Sequence, residues 1–501
     1  MNLTELMSSA APPGQGTPSA APRAPPLAGP QIVGITADSR QVKPGFLFAA
    51  LRGTQQDGRA FAADAVKKGA AAILTDDADA LALDTDARRR VAVITDANPQ
   101  RRLALLAARF YARQPRTIAA VTGTNGKTSV AHFTREIWTS LGHPAASLGT
   151  LGLVSPAGRR AGALTTPDPV ALHRDLAELA AQGIEHAAIE ASSHGLAQFR
   201  LDGVAVAAAA FTNLTRDHLD YHGDMQSYRA AKERLFADLL NTGGAAILNA
   251  DSPEFVRLAA LCRARGHRVI GYGAAALAEL RIVERIPTRD GQRISLELFG
   301  RRHDIDLPLV GEFQAMNVLA AVGLVIATGT PAGTAASTLD RLTGVPGRLQ
   351  RVGETAAGAV VFVDYAHTPD ALATVLAALR PHAEGRLAIV FGAGGDRDRG
   401  KRPLMGQVAS ELADLVYVTD DNPRGEPADE IRRAIVGAAP HAIEIGDRRE
   451  AIAAAIAELR RGDILVIAGK GHETGQIIGD KVLPFDDSVV AGEAIAAAGG
   501  A

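Results

Sequence analysis

The run Gly123-Thr124-Asn125-Gly126-Lys127-Thr128-Ser129 carries the clearest chemistry in the chain. A glycine-rich turn lets successive backbone N–H groups close around phosphate oxygens, and a helix that starts there adds the partial positive charge of its N-terminus. Lys127 can reach the β- and γ-phosphates of a nucleotide, and the Thr128 hydroxyl suits a Mg2+ ion. The general phosphate-loop pattern wants a further glycine where this chain has Val121. The flanks favour the loop nonetheless. Ile118–Val121 reads as an apolar strand and Lys127–Leu141 has helical periodicity, a strand–turn–helix context that a chance glycine turn lacks.

Further polar groups follow strand-like runs. AAIEASSHGLAQFR ends an apolar run in Glu190, and an acid at the carboxyl end of a neighbouring strand can hold Mg2+ beside phosphates. Taken alone, a solvated strand-end acid is as ordinary a reading. Ser192, Gln198 and Arg200 suit a substrate bearing carboxylate or phosphate, whereas His194 by itself reads as structural. FTNLTRDHLDYHG places His218 and His222 among acids at a spacing that matches no standard zinc pattern. Lys232, in YRAAKERLF, reads by default as an exposed helix lysine.

Four polar turns then follow apolar runs: VDYAHTPDAL, FGAGGDRDRGKRP, TDDNPRGEP and AGKGHETGQ. On a parallel sheet such turns converge on one rim. Arg397, Arg399, Lys401, Arg402 and Arg424 make those loops locally positive.

The elements that position these groups show a βα alternation. Strand candidates at His186–Ile189, Val206–Phe211 and Ala245–Leu248 accompany the phosphate loop. Candidates at Val360–Val363, Leu387–Phe391, Leu415–Val418, Ala442–Ile445 and Ile464–Ile467 alternate with helical patterns at Pro369–Leu379, Ala428–Val436 and Arg449–Leu459. GQIIGDKVLPFDD reads as a hairpin, and Phe46–Phe48 as a short strand in a small leading α/β block. The expectation is an α/β protein of three domains: a small N-terminal α/β domain over 31–112, a central mostly parallel P-loop ATPase-like sheet over 113–345, and a doubly wound Rossmann-like sheet over 346–501.

Composition bounds the function. A length of 501 residues implies several domains, and 47% hydrophobic residues can fill their cores. With 53 basic and 55 acidic residues the formal charge is −2, so no global field marks a nucleic-acid or acidic-membrane partner. One cysteine, Cys262, excludes an internal disulfide and a cysteine metal site and fits a reducing compartment. No run reaches the ~18 apolar residues of a membrane span. A cytoplasmic protein without membrane insertion is therefore expected. The first thirty residues, rich in Ala, Pro, Gly and Ser, are expected to be a disordered tail.

At this point the residues carry a pattern. VTGTNGKTS, EASSHGLAQFR, TNLTRDHLDYHG, YRAAKERLF, LNADSP, GEFQAMNVLAA, VPGRLQRV, VDYAHTPDAL and GDRDRGKRP occur in the order found in the Mur ligases, which the chain resembles. These are ATP-dependent amino-acid-adding enzymes of peptidoglycan precursor synthesis. ADSRQVKPGFLFAAL joins the first block to the resemblance. The segment Asp421-Asn422-Pro423-Arg424 is similar to that of members that add meso-2,6-diaminopimelate to UDP-MurNAc-L-Ala-D-Glu. The physical logic is that Arg424 can clamp the distal carboxylate of diaminopimelate, which lysine lacks. A lysine-adding ligase and a folylpolyglutamate synthase-like ligase are the alternatives.

The resemblance implies roles residue by residue. Gly123 to Ser129 would hold ATP phosphates, with Asn317 and Arg348 as nucleotide contacts and Asp364 near the ribose. Thr128 and Glu190 would hold one Mg2+; His218 and a carbamylated Lys232 would hold a second, which Glu190 can share. Lys127, Glu190, His218 and Lys232 would form the catalytic set. Thr165, Thr166, Ser192, Gln198 and Arg200 would bind the muramoyl dipeptide, and Ser39 the uridine nucleotide. Arg397, Asp421, Asn422, Pro423, Arg424, Gly469 and Glu473 would form the diaminopimelate site. The chain is expected to act as a monomer on these substrates, without nucleic acid. Two departures stand out: Ala191 replaces a valine of the family's EVSSH, and GTQQDG occupies a uridine-site loop that varies between members.

Overall fold

The computed structural model describes residues 1–8, 29–53 and 56–499. They form two compact units, Met1–Ala278 with Ala320–Pro331, and Glu279–Leu319 with Ala332–Ala501. The helix Glu312–Ala327 contributes to both.

The first unit opens with a parallel sheet of four short strands in sequential order, Gly34–Thr36, Phe46–Ala49, Ala72–Thr75 and Ala92–Thr95. The expectation of a disordered tail fails for its first residues. Leu3–Met7 is a helix capped by Asn2, and its Leu3 and Leu6 are buried in the same core as Leu103 and Leu106 of the helix Pro99–Tyr111. Two leucines three residues apart share one helix face, and that stripe outweighs the polar composition around it. The rest of the expected tail, residues 9–28, lies outside the described residues, as do Thr54 and Gln55 of GTQQDG.

The second sheet of this unit runs in the order Arg268–Gly273, Leu240–Asn249, Val206–Phe211, Thr117–Thr122, His186–Glu190, Ala145–Gly149, Gly152–Ser155 and Gly158–Arg160. The first six strands are parallel and the last two form antiparallel pairs, so the sheet is mixed. Its central strands are continuous apolar runs because helices cover both faces. In register, Val121 pairs with Glu190 and Thr122 with Phe211, which brings the carboxyl ends of three strands to one edge.

The second unit begins with an antiparallel meander, Leu280–Thr288, Gly291–Leu298 and Arg301–Leu307. Its main sheet has the order Gln350–Glu354, Val360–Asp364, Ile464–Ala468, Leu387–Phe391, Leu415–Val418 and Ile443–Glu444, with only the first strand antiparallel. Alternate side chains of one strand enter different cores. Val360 and Phe362 pack with Leu372, Leu376, Met405 and Ile435. Val361 and Val363 pack with Ile452, Ile456, Val490 and Ile495. Helices thus cover both faces, as a doubly wound sheet requires. The strand Ile464–Ala468 inserts beside Val360–Asp364, so the chain order reverses there and the polar turns after Asp364, Phe391, Val418 and Ala468 share one rim. Among the described residues no helix is long and apolar enough to cross a membrane.

Candidate functional site

The phosphate loop leaves its strand at Thr122 and enters the helix Lys127–Ser140 through Gly126, whose φ is +87°. Gly123 is required by its neighbour: a Cβ there would collide with Thr212 Oγ1. The adjacent strand end braces the loop. Thr212 Oγ1 donates to Asn125 O (2.6 Å), Asn213 O accepts from Thr124 N (2.9 Å), and Asn213 Oδ1 accepts from Asn125 N (2.9 Å). Lys127 Nζ lies over the loop, donating to the carbonyls of Gly123 (2.9 Å) and Thr124 (2.7 Å).

Lys232 corrects its reading as an exposed helix lysine: only 2% of it is accessible. Its Nζ donates to the same Gly123 carbonyl at 2.7 Å and lies 4.3 Å from the centroid of the Tyr228 ring. Burial, aided by the nearby Lys127 charge, lowers its pKa to about 6. A neutral amine therefore predominates at pH 7. The helix Met225–Arg234 that carries it is pinned to the loop by Tyr228, whose hydroxyl lies 3.1 Å from Thr124 Oγ1.

Glu190 is also buried, and its carboxylate is met from a strand end and a helix start. Oε2 accepts from Thr128 Oγ1 (3.0 Å) and Thr150 Oγ1 (3.2 Å), and Oε1 accepts from Thr150 N (2.7 Å). Thr150 Oγ1 in turn lies 3.1 Å from Thr165 Oγ1. Thr150 was not singled out from sequence, although its place just after the strand Ala145–Gly149 marks the same rim. A Cβ at Gly149 would collide with Glu190 Oε1. The variant Gly149→Ala is therefore expected to displace this carboxylate and reduce turnover by about 10²-fold with the fold retained. Steady-state kinetics beside a thermal melt checks this, and near-normal turnover would contradict it.

The polar set 166–200 forms one network. Thr166 Oγ1 donates to Glu190 O (2.7 Å), accepts from Ser192 N (3.0 Å) and lies 3.0 Å from Ser192 Oγ, which caps a short helix by accepting from Gly195 N. Arg200 donates to Thr166 O (2.7 Å) and twice to Gln198 Oε1 (2.6 and 3.1 Å). These hydrogen-bond acceptors are neutral, and the Asp168 carboxylate acts on the half-buried guanidinium only through space, so its N–H groups are held in place in a way that suits an anionic ligand. Gln198 Nε2 donates to Tyr221 Oη at 3.0 Å.

His194, His218, Tyr221 and His222 cluster beside this network. His194 lies 4.1 Å from the Tyr221 ring centroid and 4.9 Å from that of His218. Burial first, then the charges of His218, His222 and Arg200, lower the His194 pKa to about 4, so it stays neutral. His218 has a left-handed backbone (φ +53°), and its ring and Lys232 both flank Tyr228. Among the described residues no three His, Cys, Asp or Glu side chains converge as a metal site. The donor set at the loop is different in kind: a threonine hydroxyl and a carboxylate 3.0 Å apart, both hard oxygen donors that suit Mg2+.

The second unit gathers its own cluster. Asn317 donates to Gln314 Oε1 (3.2 Å), Gln314 donates to Arg348 O (3.0 Å), and the Arg348 guanidinium stacks on Tyr365 at 4.5 Å. Asp364 turns inward: its carboxylate accepts from Leu349 N (2.7 Å) and Ala366 N (2.8 Å), and burial raises its pKa. It shapes the Arg348 turn. Asp421, Asn422 and Pro423 are buried, and Arg424 sits at φ +52°, held by Arg424 N donating to Ile477 O (3.0 Å) and Gly479 N to Arg424 O (2.8 Å). Arg424 NH1 donates to Gly395 O at 3.0 Å. A Cβ at Gly469 would stand 2.5 Å from Asp421 Oδ2. Arg397 is exposed, and Arg402 is a structural clamp, bidentate to Glu426 at 2.9 and 3.1 Å. Ser39 lies in the turn after Gly34–Thr36, its carbonyl accepting from Lys68 Nζ at 2.9 Å.

Comparison with known proteins adds the following. Residues 31–111 match a model described as Mur ligase family, catalytic domain; 121–325 match the Mur ligase middle domain; 347–471 match the Mur ligase glutamate ligase domain. The UDP-N-acetylmuramoyl-L-alanyl-D-glutamate–2,6-diaminopimelate ligase of Bradyrhizobium diazoefficiens is 54% identical over 477 residues, covering 95% of this chain and 96% of that protein. The protein of the same name from Caulobacter vibrioides is 54% identical over 469 residues, 91% of this chain and 94% of its own. A solved structure bearing that name aligns with a TM-score of 0.71 at 35% identity, covering 93% of this chain and 95% of that one.

Proposed function

The chain belongs to the Mur ligase family, and from that membership we propose how its residues divide the work of the reaction it catalyses, the ATP-dependent addition of meso-2,6-diaminopimelate to UDP-MurNAc-L-Ala-D-Glu in peptidoglycan synthesis. The observation that carries the reading is the convergence of Lys127, Lys232, Thr128 and Glu190 on one loop. In the proposed reaction an oxygen of the D-Glu carboxylate attacks the γ-phosphorus of ATP. The bond to the β,γ-bridging oxygen breaks and ADP leaves. The amine of diaminopimelate then attacks the acyl phosphate, the tetrahedral intermediate expels phosphate, and the nitrogen loses its proton to give the amide.

The chain supplies position and charge. Loop N–H groups and Lys127 bind the phosphates, while Asn317 and the stacked Arg348 take the nucleotide. Thr128 and Glu190 would hold one Mg2+, and His218 and Lys232 a second. Bound there, Mg2+ would offset the negative charge of two anionic reactants brought together. Arg200, Gln198, Ser192, Thr165 and Thr166 hold the muramoyl dipeptide, and Ser39 lies at the uridine end. Asp421 to Arg424, Gly469, Glu473 and Arg397 take diaminopimelate. Residues 31–112, 113–345 and 346–501 divide these tasks, in a monomer in the cytoplasm.

For Lys232 to act as a metal ligand its amine must first add CO2, forming an N–C bond and releasing a proton. The neutral amine that burial favours is the reactive form. With ¹³C-bicarbonate the protein is expected to show a carbamate carbonyl resonance that Lys232→Met abolishes. A spectrum unchanged by the substitution would remove Lys232 from the ligand set.

The reaction is tested by supplying UDP-MurNAc-L-Ala-D-Glu and ATP with meso-diaminopimelate or L-lysine and following phosphate and tripeptide. Strong preference for diaminopimelate is expected. Equal use of lysine would overturn the role given to Arg424.

A further inference from the structure

Lys470 has no solvent exposure. An ammonium has three N–H donors, and here each has an acceptor: Gly475 O at 2.6 Å, Asn422 Oδ1 at 3.2 Å and Glu473 Oε2 at 3.4 Å. A charge so far from water persists only when paired and hydrogen-bonded. The acceptors come from two segments. Asn422 belongs to the turn after Leu415–Val418, Glu473 to the turn after Ile464–Ala468, and Gly475 opens the hairpin that follows it.

Asn422 is fixed at both ends of its amide. Its Oδ1 also accepts from Ile477 N (2.9 Å), and its Nδ2 donates to Glu473 Oε2 (2.9 Å). Glu473 Oε2 therefore takes two donors, while its Oε1 has no hydrogen-bond partner among the described residues and the side chain is 35% exposed. A carboxylate with one oxygen anchored and the other open is suited to a substrate ammonium.

We propose that Lys470 is a positioning residue that presents Glu473 and Asn422 to the amino-acid substrate, an inference that rests on the reading of those two residues as contacts of diaminopimelate. Without the ammonium, Glu473 Oε2 and Asn422 Oδ1 lose their shared donor. The carboxylate is then free to turn. The damage falls on recognition of the amine-bearing substrate.

The test is steady-state kinetics of full-length Lys470→Met with each substrate varied in turn. KM for diaminopimelate is expected to rise about ten- to hundredfold. KM for ATP and for UDP-MurNAc-L-Ala-D-Glu is expected to stay within about threefold. Arg424→Ala and Glu473→Ala, run in parallel, report on the underlying reading. If they weaken diaminopimelate use while Lys470→Met leaves its KM unchanged, or raises all three KM values alike, the proposal is overturned and the reading stands. If neither of them affects diaminopimelate, the reading fails and takes the proposal with it. Should Lys470→Met not fold, Lys470→Met/Glu473→Gln removes both charges together. Its KM for diaminopimelate is expected to match that of Glu473→Gln alone to within about threefold; a further large rise would overturn the proposal.

Discussion

Lys127→Ala is expected to lower kcat by about 10³-fold while the thermal transition moves by only a few degrees, about the effect of a surface substitution. The fold survives because the loop does not depend on this side chain. Gly123, Thr124 and Asn125 are braced by Thr212, Asn213 and Tyr228, and the helix that follows buries Val130, Phe133 and Ile137. What disappears is the cation expected to meet the phosphates. In this structure that cation is parked on the loop's own carbonyls, two bonds it can exchange for phosphate oxygens at little cost. A second effect adds to the first. The Lys127 charge helps to hold the Lys232 amine neutral, so its loss raises the Lys232 pKa and disfavours the carbamate. Lys127→Arg should therefore retain more activity than Lys127→Ala. Rapid-quench measurement of acyl-phosphate formation, with the melt as control, checks both statements; a Lys127→Ala enzyme of near-normal rate would refute them.

Arg424→Ala is expected to reduce kcat/KM for diaminopimelate by about 10²-fold and to leave the low rate with lysine nearly unchanged, so that the preference collapses. The surroundings of Arg424 are the ground for this expectation. Its backbone is fixed in the left-handed region by two bonds to the hairpin, and NH1 is anchored on Gly395 O. Nε and NH2 donate to no protein acceptor among the described residues and remain for a carboxylate. A Cβ at Gly394 would stand 2.7 Å from NH1, so the berth also depends on that glycine. Arg424→Lys is expected to fail nearly as badly as Arg424→Ala, because a point charge on a flexible stem cannot reproduce a fork. Competition between the two amino acids, read as the ratio of the two tripeptides, measures the effect. An unchanged ratio would move specificity elsewhere.

Much of this site was legible in the sequence because its signals are local. A glycine-rich turn between an apolar strand and a helix specifies a phosphate loop from neighbours alone, and the strand runs His186–Glu190, Val360–Asp364 and Leu387–Phe391 carry their own burial in their composition. The small β-meander was missed although its middle strand alternates apolar and polar residues over Ile294–Leu298, a period-2 signal available without the structure. The helix Leu3–Met7 was hidden by averaging: Ala/Pro-rich composition over thirty residues masks two leucines on one face.

Sequence alone determined the α/β alternation, the chemistry of the phosphate loop and the identity of the groups able to meet anions, since each follows from residue type and short spacing. Only the tertiary structure decided which of those groups act together. Lys232 became a neutral buried amine because a distant helix lays it on the Gly123 carbonyl. Glu190 became a fixed carboxylate because Thr128 from a helix start and Thr150 from beyond a strand end both bond it, and Lys470 and Asn422 meet across 48 residues of chain. Burial and hydrogen-bond partnership are properties of packing between remote segments, and no local spacing encodes them.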